Sequence, residues 1–214
     1  MLALYTYFRS SAAFRVRIAL NLKGLPWKPE VIWLPSGEHR GEAYRQLNPQ
    51  ALVPTLVDGD LKLNQSLAII EYLDEAHPGP KLLPTDPAGR ARVRSLSLLI
   101  ASEIHPVNNL RVLNYLKSEL GLDEERVAVW YRHWCDEGLA GLEAQLAQGG
   151  TGRYCHGDEI TMADVCLVPQ IFNARRFGTQ VDRYPITMRI HDELVKLEAF
   201  ERAAPGAQAE ASRA

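Results

Sequence analysis

The segment from His77 to Pro87 constrains the fold more than any other feature of the sequence. It reads HPGPKLLPTDP and contains four prolines and one glycine, a composition that ends both helices and strands. The full length of 214 residues fits one large domain or two small ones. We therefore predict two domains, over residues 1–80 and 88–214, joined by a linker over residues 81–87.

The part of the chain before this segment alternates between strand-like and helix-like stretches, in the order βαβαββα. The strands are predicted at 2–7, 27–34, 55–57 and 61–63, and the helices at 13–23, at 41–47 and from Ser66 onward. The turn Asp58-Gly59-Asp60 joins the last two strands as a hairpin. A parallel β-α-β unit followed by an antiparallel hairpin predicts a small sheet with helices on its faces.

The part of the chain after the proline-rich segment is predicted to be all-helical, because its apolar residues recur every three or four positions. The predicted helices cover 93–110 with a kink at Pro106, 124–147, a helix from Thr161 onward, and 189–203. Thr161 and Asp164 stand three positions apart before an apolar run, as in a capping box. The tail after Pro205 is small and polar and is expected to fray.

Charge and composition exclude several classes of protein. The 24 Lys and Arg residues nearly balance the 26 Asp and Glu residues, so the basic excess of a nucleic-acid or anionic-membrane surface is missing. The three cysteines are odd in number and form no C-x-x-C pair, which is typical of a reducing compartment. No basic and apolar leader follows Met1, and no apolar run approaches the ~20 residues of a membrane span. We expect a cytoplasmic protein with no nucleic-acid, membrane or metal partner.

The residues from Arg9 to Arg15 (RSSAAFR) lie where the first strand turns into the first helix. A helix start offers unpaired N–H groups and partial positive charge, and ligands bind at this end of parallel strands. The pattern therefore indicates an anion site. A simple N-cap by Ser10 or Ser11 explains the same residues.

Two further segments also have both a structural and a functional explanation. In the segment 48–55 (NPQALVPT), Pro54 must stand at a strand start, either as a plain loop proline or with a cis peptide bond. A bend there would expose the backbone N–H and C=O of Val53 to a peptide-like ligand. At the start of the next helix, Ser66 either caps the helix or joins Gln65 in holding a carboxylate.

Taken in this order, the three segments and the helical domain after them resemble the glutathione transferases. Residues 7–20 (YFRSSAAFRVRIAL) resemble the signature of the zeta class, residues 65–73 (QSLAIIEYL) resemble its glutathione-site helix, and residues 157–170 complete the pattern. The resemblance covers residues 4–204. It implies the glutathione transferase fold, with a thioredoxin-like α/β N-terminal domain and an all-α C-terminal domain, in a homodimer.

The resemblance implies a role for each residue that matches the family's motifs, and a cis bond before Pro54. The catalytic residues are Ser10, whose hydroxyl faces the glutathione sulfur, and Ser11, Arg15 and Arg9, which line the same pocket. Glutathione is bound by His39, Val53, Pro54, Gln65, Ser66, His105, Asn109 and Arg111. A dicarboxylate substrate requires further cations in the pocket, and the candidates are Arg9, Arg111, Arg175 and Arg176, unless these arginines are solvated surface groups.

Zeta-class members are maleylacetoacetate isomerases, and similar relatives isomerise maleylpyruvate. The resemblance therefore implies a glutathione-dependent cis–trans isomerase, in which a thiolate adds to the double bond, the new single bond rotates, and elimination gives the trans alkene. The class signature reads Ser-Ser-Cys, whereas Ala12 stands at its third position, so the thiol must be that of glutathione. The alternatives are a glutathione transferase or dehalogenase acting on small α-halo acids, and a non-catalytic binding module of the same fold.

Overall fold

The computed structural model describes residues 1–213 and forms two compact units. The first, here called the sheet unit, comprises Met1–Leu82 together with the residues from Val195 onward, and the second, the helical unit, comprises Leu83–Leu194. The sequence placed residues 195–214 in the helical domain, whereas the structure packs the described part of this segment into the sheet unit. The side chain of Asn21 contributes to this packing, because its Nδ2 donates to the carbonyl oxygen of Ala199 at 3.0 Å.

Up to residue 76, strands and helices occur in the order βαβαββα that the sequence predicts, whereas the helix over 110–118 was not predicted. The strands of residues 1–213 are β1 Leu2–Thr6, β2 Trp27–Val31, β3 Thr55–Asp58 and β4 Leu61–Asn64. The α-helices of the same residues are α1 Ser11–Leu22, α2 Glu42–Arg45, α3 Ser66–Ala76, α4 Pro87–Leu98, α5 His105–Val107, α6 Leu110–Ser118, α7 Glu124–Ala147, α8 Met162–Arg176, α9 Pro185–Leu194 and α10 Glu198–Glu201.

The sheet of the first unit has the strand order β2-β1-β3-β4. β1 pairs with β2 in parallel, and β3 pairs antiparallel with both β1 and β4. Leu4 lies opposite Leu56 in this register, and both side chains are fully buried. Helix α3 contacts both β4 and α1. The predicted β-α-β unit followed by a hairpin is therefore confirmed, and it places the N termini of α1 and α3 at the ends of β1 and β4.

The first long helix of the second unit ends in an irregular stretch before Pro106. A π-helical segment, Leu99–Ile104, follows α4, and α5 is only three residues long before the chain restarts as α6. Proline lacks a backbone N–H, and its ring clashes with the carbonyl four residues earlier, so a regular helix cannot pass through this position. The helix is therefore irregular around Pro106, the position at which the sequence predicts a kink.

The start of α8 is a capping box, as the sequence predicts. The backbone N–H of Thr161 donates to Oδ2 of Asp164 at 2.8 Å, and the buried Oδ1 of the same carboxylate accepts from the N–H of Cys155 at 2.8 Å. Burial raises the pKa of Asp164, although its hydrogen bonds oppose this change. This carboxylate therefore ties the loop before α8 to the helix.

The C-terminal predictions are wrong in two respects. The single helix predicted over 189–203 is divided into α9 and α10, because Leu197 adopts an extended conformation (φ −84°, ψ 132°) where the chain passes from one unit to the other. The tail does not fray, since Pro205–Ala207 and Ala209–Arg213 form 3-10 helices and the Glu210 side chain is buried. Among residues 1–213, no helix combines the length and apolar character needed to span a membrane.

Candidate active site

Ser10 lies at the N-terminus of α1, at the point where the chain leaves the end of β1. Its backbone N–H donates to the carbonyl oxygen of Tyr7 at 2.9 Å, and its Oγ accepts from the N–H of Ala13 at 3.2 Å. Ser10 is thus the N-cap of α1, as the structural explanation of this segment requires. The hydroxyl accepts in the capping bond, so its proton can still be donated to an anion at the positive end of the helix.

Arg15 and Ser66 join the two predicted binding helices. Arg15 is 1% exposed, and its Nη1 donates to Oγ of Ser66, the first residue of α3, at 3.2 Å. Ser11 is also buried, one helical turn before Arg15. The structure therefore brings together three residues that the resemblance assigns to the glutathione pocket. Arg9, in contrast, is exposed, and its guanidinium lies 4.9 Å from the ring centroid of Phe8.

Ser66 does not cap α3, so the capping explanation offered for it is wrong. The N-cap position belongs to Gln65, which makes no side-chain capping bond and has a φ of 70°, in the left-handed region that non-glycine residues rarely occupy. The exposed Gln65 amide instead donates through Nε2 to Oε1 of Gln50 at 3.0 Å. The first N–H groups of α3 therefore receive no hydrogen bond from the side chain of the capping residue, Gln65.

The peptide bond between Val53 and Pro54 is cis, as the resemblance implies. The Val53 side chain packs in a buried cluster with Tyr7, Phe8 and Tyr44. Neither the N–H nor the C=O of Val53 takes part in a backbone hydrogen bond with any residue of 1–213. Backbone groups without backbone partners can pair with the backbone of a peptide ligand.

His39 lies in the short 3-10 helix Glu38–Arg40, just before α2. Its Nδ1 is buried and has no hydrogen-bond partner within residues 1–213. Burial and the nearby Arg40 both lower the pKa of His39, so the ring is neutral at neutral pH. A neutral imidazole nitrogen without a partner is suited to a polar ligand atom.

The helical unit brings His105, Asn109 and Arg111 together around the start of α6. Asn109 is the N-cap of this helix, and its Oδ1 accepts from the backbone N–H of Arg111 at 3.1 Å. Its Nδ2 lies 3.5 Å from Nε2 of His105, so these two side chains are in contact. The Arg111 side chain is exposed.

Arg175 and Arg176 are both exposed at the end of α8, but they influence different neighbours. Arg175 adds to burial in lowering the pKa of His191. The guanidinium of Arg176 lies 5.5 Å from the ring centroid of Phe177, and that ring stacks on the ring of Tyr131 at 3.9 Å. Because the two arginines have different surroundings, they are not equivalent candidates for one substrate carboxylate.

Three residues that support these segments were missed by the sequence analysis. They are Arg17, Tyr44 and Asn48. Arg17 is a charged residue within the apolar run of α1, and Asn48 is the first residue of the segment 48–55 that contains Pro54. Both positions could therefore have been noticed in the sequence. Tyr44 carried none, because a tyrosine in a short helix is unremarkable in sequence.

Arg17 is fully buried and ties the end of β1 to the C-terminal segment. Its Nε donates to the carbonyl oxygen of Ala203 at 2.9 Å, its Nη1 to Oγ1 of Thr6 at 3.0 Å, and its Nη2 to the carbonyl oxygen of Phe8 at 3.0 Å. Burial lowers the pKa of Arg17 to about 10, while the charge of Glu210 opposes this shift. The guanidinium therefore remains charged at neutral pH and holds the segment that leads to α1.

Comparison with known proteins agrees with this geometry. The family descriptions "Glutathione S-transferase, N-terminal domain" and "Glutathione S-transferase, C-terminal domain" match residues 4–81 and 135–193. A probable maleylacetoacetate isomerase of Vibrio cholerae serotype O1 is 50% identical over 212 residues, which cover 98% of each chain.

Two solved structures are also similar along nearly the whole chain. The holo structure of a bacterial zeta-class maleylpyruvate isomerase is 45% identical with a TM-score of 0.95, covering 97% of this chain and 99% of that one. The maleylacetoacetate isomerase of Methylobacterium extorquens AM1, crystallised with malonate and glutathione, is 42% identical with a TM-score of 0.94, covering 96% and 97%.

The chain belongs to the glutathione S-transferase family. Within that family it groups with the zeta-class maleylacetoacetate and maleylpyruvate isomerases, so both the predicted resemblance and the predicted fold class are confirmed. The roles assigned to individual residues remain predictions.

Proposed function

We propose that this protein is a glutathione-dependent cis–trans isomerase of maleylacetoacetate or maleylpyruvate. The observation that carries the proposal is the arrangement of three binding segments in one unit. The hydroxyl of Ser10 lies at the start of α1, the backbone of Val53 is free of backbone hydrogen bonds among the described residues, and Ser66 begins α3 bonded to the buried Arg15.

The chemistry of these groups fits glutathione, which is a tripeptide with a thiol and two carboxylates. A peptide backbone pairs with the N–H and C=O of Val53, because both groups lack backbone partners within residues 1–213. A carboxylate suits the start of α3, where the N–H groups receive no bond from the Gln65 side chain. The unpartnered Nδ1 of His39 adds a further polar contact.

Glutathione, when bound, supplies the thiolate that adds to and leaves the substrate, so that the bond rotates between the two steps. The protein's task is to favour the thiolate form, because only the thiolate is nucleophilic. The Ser10 hydroxyl donates to the sulfur, and the partial positive charge at the start of α1 acts in the same direction. A lowering of the thiol pKa by one unit corresponds to about 1.4 kcal/mol.

The protein itself provides no thiol for this reaction. Ala12 occupies the position of the signature cysteine, and Cys135, Cys155 and Cys166 are all buried in the helical unit. Burial raises the pKa of Cys135 to about 11 and that of Cys155 well above its ordinary value. Cys135 and Cys155 are therefore neutral thiols at neutral pH, and all three cysteines are buried, so the reacting sulfur belongs to glutathione.

The substrates carry carboxylates and develop enolate charge, so they require cations. Arg9, Arg111, Arg175 and Arg176 are exposed and available to such anions. Arginine binds a carboxylate through two parallel N–H groups, a geometry that lysine does not reproduce. The protein acts on a small dicarboxylate in the cytoplasm as a homodimer, a proposal that rests on the family resemblance and on the odd number of cysteines without C-x-x-C spacing.

The proposal is tested by measuring turnover of both cis substrates with and without glutathione. We expect isomerisation of at least one substrate, and only when glutathione is present. Glutathione-dependent release of halide from small α-halo acids, without isomerisation, would assign the transferase function instead. Glutathione binding without any turnover would assign a binding module.

A further inference from the structure

Asn48 lies in the segment between α2 and β3 and is almost completely buried. Both Nδ2 and Oδ1 of its side-chain amide make hydrogen bonds. The side chain is 1% exposed. Its Nδ2 donates to the carbonyl oxygen of Leu52 at 2.7 Å, while its Oδ1 accepts from the N–H of Gln50 at 3.0 Å and from Nδ2 of Asn64 at 3.3 Å. A buried amide with three partners has little freedom to move and restrains every group that it contacts.

The first of these contacts fixes the direction of the Val53 N–H. The carbonyl oxygen of Leu52 accepts from two donors, Nδ2 of Asn48 and the hydroxyl of Tyr44, each at 2.7 Å. The peptide between Leu52 and Val53 is trans and planar, so its N–H points away from the side on which its C=O is held. Two donors on the carbonyl therefore aim the N–H of Val53, which has no backbone partner within residues 1–213.

The remaining contact connects Asn48 to the second binding segment. Asn64 is the last residue of β4 and directly precedes Gln65, whose left-handed backbone (φ 70°) turns the chain into α3. The bond from Asn64 to Asn48 is partly buried, whereas the other bond between the segments, from Gln65 to Gln50, is exposed. Water competes less for the buried bond, so it is the firmer connection.

Building on the proposed function, we propose that Asn48 is a positioning residue for glutathione, which fixes the Val53 backbone and the start of α3 relative to each other. Asn48 is buried and does not touch the ligand. It acts through Leu52 on one side and through Asn64 on the other. Loss of Asn48 is therefore expected to weaken glutathione binding and to spare the chemical step at the Ser10 hydroxyl.

The test compares Asn48→Ala, Asn64→Ala and the double variant by titration calorimetry with glutathione, whose stoichiometry reports the folded fraction. Turnover at saturating glutathione is measured in parallel. We expect Asn48→Ala to raise the Kd at least about tenfold and Asn64→Ala about threefold, because each loses a different number of partly buried hydrogen bonds. The double variant should match Asn48→Ala, since the bond that Asn64 makes is already lost there.

Asn21→Ala is the matched control, because it removes another asparagine amide of the same unit, whose Nδ2 donates to the carbonyl oxygen of Ala199 at 3.0 Å. Its glutathione Kd should equal that of the wild type. If Asn48→Ala does not fold, Tyr44→Phe removes the other donor to Leu52 with little change of shape, and a Kd raised about threefold is expected.

Each negative result overturns a defined statement. An unchanged Kd in Asn48→Ala, or in Tyr44→Phe when it is the variant used, overturns the positioning role even if the melting temperature falls. Additive effects in the double variant overturn the connection between the two segments. In each of these cases the proposed function stands if the wild-type protein isomerises its substrate with glutathione. A wild-type protein that binds no glutathione overturns both the positioning role and the proposed function.

Discussion

The sheet unit and the helical unit hold their predicted site residues in different ways. In the sheet unit, Arg15, Ser66 and Val53 are buried and lie in segments braced by hydrogen bonds from other buried side chains. In the helical unit, Arg111, Arg175 and Arg176 are exposed on the surfaces of α6 and α8. The predicted glutathione-site residues Arg15, Ser66 and Val53 are thus held in the core of the sheet unit, whereas the arginines predicted to bind substrate in the helical unit are exposed.

This difference has a physical consequence for function. A preorganised backbone and buried hydroxyls give strong and specific binding, because little freedom is lost when the ligand arrives. Exposed arginines provide charge with less geometric restraint, since their side chains retain many rotamers. Substitutions in the sheet unit are therefore expected to cost more than substitutions of the same type in the helical unit.

The largest effect is expected at Arg17, which supports the segment leading to Ser10. Arg17→Ala leaves the carbonyl oxygens of Ala203 and Phe8 without this donor, and should lower the free energy of unfolding by about 3 kcal/mol or more. Chemical denaturation measures this quantity. The control, Arg183→Ala, removes an exposed arginine of the helical unit and should change it by less than about 0.5 kcal/mol. An equal decrease in the free energy of unfolding in both variants would contradict the expected difference between the sheet unit and the helical unit.

The next largest effect is expected for Ser10→Ala, with a smaller one for Ser11→Ala. Removal of a donor to the reacting sulfur should lower kcat about 10²-fold or more. Because Ser10 also caps α1, Asp123→Ala serves as the control, since it removes the N-cap of α7, where Oδ1 accepts from Arg126 N–H at 2.8 Å. Kinetics should show normal turnover in this control and substantial turnover in Ser10→Thr, which keeps a hydroxyl. Full activity in Ser10→Ala would exclude Ser10 as the catalytic donor.

A moderate effect is expected at the start of α3. Ser66→Ala and Gln65→Ala should weaken glutathione binding by about 1.5 to 3 kcal/mol, the cost of losing a hydrogen bond to a charged group. The value of kcat at saturating glutathione should change little, because the role proposed for these residues is to hold a carboxylate of glutathione and not its sulfur. Ser97→Ala is the control, since it removes a buried serine hydroxyl of the helical unit. This hydroxyl donates to the carbonyl oxygen of Val93 at 2.7 Å. Calorimetry showing unchanged affinity for both variants would place the carboxylate of glutathione elsewhere.

The smallest effect is expected for Arg111→Lys and Arg176→Lys in the helical unit. If these side chains bind substrate carboxylates, kcat/KM for the cis substrates should fall about tenfold while glutathione affinity is retained, because lysine loses the paired N–H contact. Arg183→Lys is the control for Arg176, as its guanidinium lies over the Tyr184 ring at a similar distance, 5.8 Å. If kcat/KM falls no more in Arg111→Lys and Arg176→Lys than in Arg183→Lys, Arg111 and Arg176 are surface groups that do not bind substrate.

The parts of the fold that depend on local pattern were predictable, and the parts that depend on distant contacts were not. The bounds of α7, its 24 residues from Glu124 to Ala147, follow from a regular apolar repeat after an N-cap. The break between α9 and α10 has no such signal, because it depends on packing of the C-terminal segment into the sheet unit. The bond from Arg17 to Ala203 spans 186 positions and cannot be inferred from spacing.

The same distinction applies to the candidate site. The three segments were identified from serine, proline and helix-start patterns, and the cis bond at Pro54 followed from the resemblance. The cap of α3 was misplaced by one residue, because a left-handed conformation at Gln65 is unusual for a non-glycine residue. The bracing of Leu52 by Asn48 was missed, since buried side-chain hydrogen bonds to a loop carbonyl have no characteristic spacing.

The most direct test of the proposed reaction replaces glutathione by its analogue in which a methyl group stands in place of the thiol. The tripeptide part is unchanged, so calorimetry should show binding of the analogue with an affinity close to that of glutathione. Conversion of maleylacetoacetate and maleylpyruvate, followed by proton NMR of the cis and trans alkenes, should occur with glutathione and be absent with the analogue. Isomerisation supported by the analogue, or by the protein alone, would contradict the claim that the glutathione thiol performs the reaction.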